Sequence, residues 1–242
     1  MDVVALGELL IDFTENGISS QGNPLFEANP GADMMLTEEE IPEELILETR
    51  IFHFGTLSMT HEKVRRATKK AVAIAKQAGA IISFDPNIRE PLWNSMDEAR
   101  EQVLYGLGQC HILKISDNEI QWLTGKNDYT EAVKWIREKH DIPLILVSMG
   151  KEGSRAYYQD RMVEKAPFIN ENTIETTGAG DTFCACVLHY ICKHGLENLT
   201  EKNLKEMLTY ANAAASIITT RKGALRVMPR PEEIEALIAG HH

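Results

Sequence analysis

The sequence predicts an α/β fold with a largely parallel sheet covered on both faces. Strand-like apolar runs alternate with segments whose apolar residues recur at helical spacing. The connections between them are short. Helical crossovers joined by short loops are how parallel strands are linked, and a sheet so built is buried on both sides.

The elements follow in order. Residues 3–11 read as a buried first strand, and residues 16–31, rich in Gly, Asn, Ser and Pro, as a loop. Residues 38–47 are acidic and helical in pattern, and 50–54 form a strand. Residues 61–78 place Val64, Ala67, Ala71, Ile74 and Ala75 on one helical face, with Gly79 as the stop. A strand over 80–84, a helix over 95–107, a strand over 111–115 and a short helix over 119–123 come next. Residues 129–140 are helical and 144–147 a strand; 154–158 and 161–166 form a hairpin pair. Helices over 181–194, 204–219 and 231–238 close the chain. In open α/β sheets ligands bind beyond the carboxyl ends of the strands. That rule selects Asp12, Gly55, Asp85-Pro86-Asn87, Ser116 and Gly150.

Composition narrows the function classes. The 242 residues are 43% hydrophobic and 25% charged, with net charge −11. A chain of this length buries roughly 70–75% of its unfolded surface, enough for a core without disulfides. The acidic balance disfavours nucleic acid and anionic membranes as partners. Cys110, Cys184, Cys186 and Cys192 are expected to be reduced core thiols, which fits a cytoplasmic location. No apolar run reaches membrane-spanning length, and Met1-Asp2 leads directly into strand-like sequence. Met34 and Met35 are expected in the core.

Phosphate-binding signals are few. Neither G-x-x-x-x-G-K-[ST] nor a G-x-G-x-x-G after the first strand is present, so a dinucleotide enzyme is disfavoured. The eight His lack metal-ligand spacing, and G-x-S-x-G does not occur. What stands out is Thr176-Thr177-Gly178-Ala179-Gly180-Asp181-Thr182-Phe183. A helix start beside glycines presents bare backbone N–H groups that favour anions. A carboxylate there can take a proton while its neighbours hold developing charge. Asp181 can equally be an N-cap and the glycines a turn. Three weaker segments end strands: Phe84 to Arg89, Lys114 to Glu119, and the Ser148 to Gly153 turn. Each has a plain structural reading as an Asx turn, a helix start or a loop.

Together these segments resemble the ribokinase-like sugar kinases, the PfkB family. Residues 177–183 are similar to its C-terminal signature. Asp85-Pro86-Asn87-Ile88-Arg89 with Leu92-Trp93, and Lys114-Ile115-Ser116 with Glu119 and Leu123-Thr124-Gly125, resemble its fructokinase branch. Gly7-Glu8 with Asp12, and Gly31-Ala32-Asp33, resemble its opening segments. The resemblance implies a ribokinase-like three-layer α/β/α fold, one core domain over residues 1–242, and transfer of the γ-phosphoryl group of ATP to a sugar, with Mg²⁺. It implies Asp181 as the catalytic base, and the backbone of Gly178, Ala179 and Gly180 as the anion hole. Lys114, Ser148, Gly150, Gly153 and Asn212 would serve the nucleotide, Asn212 near the base. Asp12, Gly31 and Arg89 would serve the sugar, and Glu119 the metal through water.

The chain departs from the family between its first strand and Gly31. The Gly-Gly substrate motif and further strands, some forming a β-lid, are expected there, yet Asn29-Pro30-Gly31 runs directly into Ala32-Asp33. An internal deletion joined near residues 29–33, with the β-lid missing, accounts for this. Loss of a lid weakens substrate positioning and water exclusion, so a fructokinase-like activity is expected to be impaired and the family's usual dimer altered. A non-catalytic core that binds nucleotide without turnover is the rival expectation, and a sugar-acid kinase a third.

Overall fold

The computed structural model describes residues 1–7, 12–18, 24–29, 35–176, 178–223 and 227–240, with the backbone alone over 12–18 and 24–29. The chain divides into two compact units, Met1–Cys110 and His111–His242.

In the first unit β1 (Val3–Leu6) is followed by a separate antiparallel ribbon of β2 (Asp12–Ile18) and β3 (Pro24–Asn29). The ribbon corrects the loop expected over 16–31. It pairs Asp12 with Asn29 and is irregular between Glu15 and Ile18. The acidic segment divides at Pro42, which lacks an N–H, into a 3₁₀ turn at Glu38–Glu40 and a short α1 (Glu43–Leu47). Parallel strands follow in the order β1, β4 (Ile51–Gly55), β5 (Ile81–Asp85), in the register Val3, Ile51, Ile81.

The helix α2 (Glu62–Gln77) buries Val64, Ala67, Ala71 and Ala75 of the stripe its spacing predicts; Val72 is buried as well, while Ile74 is only half-buried. Ser95 caps α3 (Met96–Leu107) by accepting from the Glu98 amide at 3.1 Å. Arg65 of α2 donates to Glu98 of α3 and to the Met59 carbonyl, tying the two helices. Met35, expected in the core, is 58% exposed. Met34 and Gly31 lie outside the described residues.

The second unit starts with β6 (Ile112–Ser116), α4 (Asp117–Thr124), α5 (Tyr129–Arg137) and β7 (Leu144–Ser148). β6 and β7 are parallel; β8 (Ser154–Tyr158) and β9 (Arg161–Lys165) extend the order antiparallel, as the predicted hairpin requires. Then come α6 (Ala179–His194), α7 (Glu201–Ile218) and α8 (Pro231–Ala239). α6 buries Phe183, Val187, Leu188 and Ile191, while Ala185 is exposed.

The cysteines are free thiols, but only Cys110 and Cys184 are buried; Cys186 and Cys192 are half-buried, which corrects the expectation that all four sit in the core. Burial pushes the Cys186 thiol up to about 11, so it stays protonated at neutral pH. Among the described residues no helix is long and apolar enough to cross a membrane.

Candidate active site

The start of α6 is built by its glycines. Gly178 is the N-cap and takes a left-handed conformation (φ 76°) that residues with a Cβ rarely adopt. It offers no side chain to the helix amides. The Ala179 amide donates to the Thr176 carbonyl at 3.2 Å, and the Thr182 amide to Gly178 at 2.8 Å. The amides of Gly180 and Asp181 meet no acceptor among the described residues. Asp181 is therefore not the N-cap but the third helical residue, and its side chain is exposed.

Lys114 comes to the same place from β6. It is 6% exposed, and its Nζ lies 3.0 Å from the point where a Cβ on Gly180 would sit. The absence of a side chain at Gly180 is what lets the ammonium group stand against the first turn of α6. A buried cation beside a helix N-terminus makes a strongly electropositive spot.

This first turn opens into a cavity of about 660 Å³ within the second unit. Ala179 and Gly180 line it, together with the predicted Ser148, Gly150, Gly153 and Asn212. Ser148 ends β7; Gly150 and Gly153 bound the 3₁₀ turn that follows. Gly153 has φ 97°, and a Cβ there would meet the Lys165 carbonyl oxygen at 2.2 Å, so only glycine fits. Asn212, on α7, is 7% exposed. The opposite wall is Pro167, Phe168 and Ile169, between β9 and α6. No motif marked that wall, because its contribution is apolar contact without a required residue type. Ser216 and Thr219 of α7 and the turn, also lining it, were equally silent.

Glu119 sits at the start of α4 in a capping box. Its Oε2 accepts from the Ser116 amide at 2.9 Å and the Ser116 hydroxyl at 2.7 Å, while the Glu119 amide donates back to Ser116 Oγ at 3.3 Å. Among the described residues no group of three or more His, Cys, Asp or Glu could hold a metal ion. Arg89 belongs to the first unit, exposed, its Nη1 donating to the Ile88 carbonyl at 3.2 Å. Asp12 opens β2, and Gly31 lies outside the described residues.

Residues 17–231 match the model of the pfkB family carbohydrate kinases. The chain belongs to that family. Fructokinase-1 of Zea mays is 39% identical over 214 residues, 88% of this chain and 66% of that protein. Fructokinase-2 of Solanum lycopersicum is 36% identical over 216 residues, 89% of this chain and 66% of that protein. The chain thus spans just under two thirds of the length of these relatives.

Among solved structures, this PfkB chain is similar to a fructokinase with bound ATP from Xylella fastidiosa (TM-score 0.82, 24% identity, 93% of this chain and 72% of that one). It is also similar to a Vibrio cholerae fructokinase bound to fructose, ADP and calcium (TM-score 0.77, 26% identity, 94% and 71%). The fold is the ribokinase-like α/β fold that the sequence motifs implied.

Proposed function

We propose that this PfkB chain transfers the γ-phosphoryl group of ATP to a hydroxyl of a sugar, fructose being the first candidate. The observation that carries the reading is the start of α6. Asp181 is exposed in the first turn of α6, Lys114 Nζ stands against Gly180 of the same turn, and Ala179 and Gly180 line a cavity large enough for a nucleotide. Asp181 takes the proton from the sugar hydroxyl as its oxygen bonds to the γ-phosphorus. The bond between that phosphorus and the bridging oxygen breaks, and ADP leaves with the electron pair. The backbone of the first turn of α6, from Gly178 to Gly180, and the Lys114 ammonium hold the charge spread over the transferring group.

Ser148, Gly150 and Gly153 border the nucleotide's phosphate and ribose; Asp12, Gly31 and Arg89 remain the residues proposed for the sugar. Mg²⁺ enters with ATP as part of the substrate and neutralises phosphate charge, with Glu119 reaching it through water. The family assignment and the fructokinase relatives support this reading.

The same comparisons favour a second reading. The chain spans 66% of the length of its fructokinase relative, and a lid missing near residues 29–33 would remove sugar contacts and water exclusion. Turnover is then low, or the chain binds nucleotide without turnover. ADP release in a coupled assay, with Mg-ATP and a panel of hexoses, sugar acids and nucleosides, separates the outcomes. Release stimulated by fructose supports the kinase; nucleotide binding by calorimetry without release by any acceptor supports the binding module. Undetectable binding at millimolar Mg-ATP contradicts both.

A further inference from the structure

Asn212 lines the cavity, yet its polar atoms face protein. Nδ2 donates to the Lys165 carbonyl at 3.2 Å and to the Ala166 carbonyl at 3.1 Å, which uses both amide hydrogens. Oδ1 accepts from Ser154 Oγ at 2.8 Å. These three bonds tie the middle of α7 to the paired ends of β8 and β9, where Ser154 and Lys165 are register partners. Packing there is tight, since Gly153, next to Ser154, tolerates no Cβ against Lys165 O.

Both clasped segments lead into the cavity wall. Before Ser154 come Gly150 and Gly153; after Ala166 come Pro167, Phe168 and Ile169. Ser154 itself is fully buried and is not part of that wall. An amide whose two donors and first acceptor position are already satisfied, at 7% exposure, has one lone pair left for a ligand.

We infer that Asn212 is a positioning residue, which shapes the nucleotide cavity by clasping α7 to the paired β8 start and β9 end, and does not recognise the base through its own amide. The inference rests on the nucleotide reading of this cavity. It separates two residues that a contact role would treat differently. If Asn212 acts through the clasp, Ser154, which is not part of the cavity wall but bonds to Asn212, matters in the same way.

The test compares Ser154→Ala, Asn212→Asp and the double variant with the unaltered protein. Calorimetry gives the Kd for Mg-ATP, turnover gives KM and kcat where ADP is released, and hydrogen exchange follows the amides of residues 166–171. Asn212→Asp keeps the volume but sets a carboxylate oxygen against two carbonyl oxygens. The expected result is that Ser154→Ala raises the Kd or KM for Mg-ATP by about two- to tenfold, the factor one hydrogen bond is worth, with kcat unchanged. Asn212→Asp raises it further, the double variant adds little beyond that, and exchange over 166–171 accelerates in all three. A general loss of stability would lower the melting temperature without this split between KM and kcat.

The proposal is overturned if Ser154→Ala leaves nucleotide affinity and exchange unchanged while Asn212→Asp weakens binding, because that pattern marks direct contact with the base. If the unaltered protein binds no nucleotide, the proposed function fails. Unchanged exchange over 166–171 in the variants then refutes the clasp as well, and faster exchange upholds it.

Discussion

Asp181 stands in the first turn of α6 because Gly178, and not the acid, takes the cap. That one-residue distinction decides its chemistry. A capping Asp spends its oxygen on the helix amides, whereas Asp181 is an exposed residue of the first turn. Asp181→Asn is therefore expected to lower sugar-dependent ADP release by about 10²–10⁴-fold while leaving Mg-ATP affinity nearly unchanged. Gly153 is constrained by shape: Gly153→Ala drives a Cβ into the Lys165 carbonyl at a positive φ. Thermal or urea unfolding is expected to show a loss of about 3 kcal/mol or more, and a loss under about 1 kcal/mol contradicts the constraint. The glycines at the start of α6 were legible because the left-handed cap at Gly178 and the close approach of Lys114 to Gly180 both require a residue without a side chain. The bonds of Asn212 were not, since its partner Ser154 is 58 positions away and no local spacing encodes that meeting.

The elements of the α/β alternation were legible because their apolar periods are set by burial against a sheet. α2 and β7 match their patterns to within a residue or two at each end. The ribbon β2–β3 was not legible: its strands pair with each other as a sheet of their own, and glycine, asparagine and proline in that stretch signal a loop. Two element-level contacts give measurable outcomes. Ser116 caps α4, so Ser116→Ala is expected to cost about 1 kcal/mol in denaturant unfolding. Arg65 and Asn94 hydrogen-bond the Glu98 carboxyl and hold it below its ordinary value of 4.5. The folded pKa is thus depressed. The contribution of the contact is complete above about 4.5 and is lost as pH falls through the lower folded value. In melts from neutral pH to about pH 3, the acid-induced fall in melting temperature should be steeper for the unaltered protein than for Glu98→Gln; equal slopes contradict this assignment.

At the scale of the whole molecule, family and fold rest on motifs spread along most of the chain, and the match over residues 17–231 covers all of them but the opening Gly7-Glu8 and Asp12. What motifs do not set is how well a chain spanning 66% of its plant relatives still turns over. Catalysis by positioning and electrostatics needs the donors at α6 and also a closed, dry site around the sugar. The measurement that tests the central claim most directly is ADP release with Mg-ATP, with and without fructose, for the unaltered protein and Asp181→Asn side by side. The account predicts slow release that fructose stimulates and that falls at least a hundredfold in the variant. Release that fructose does not stimulate, or that survives in Asp181→Asn within tenfold, contradicts it.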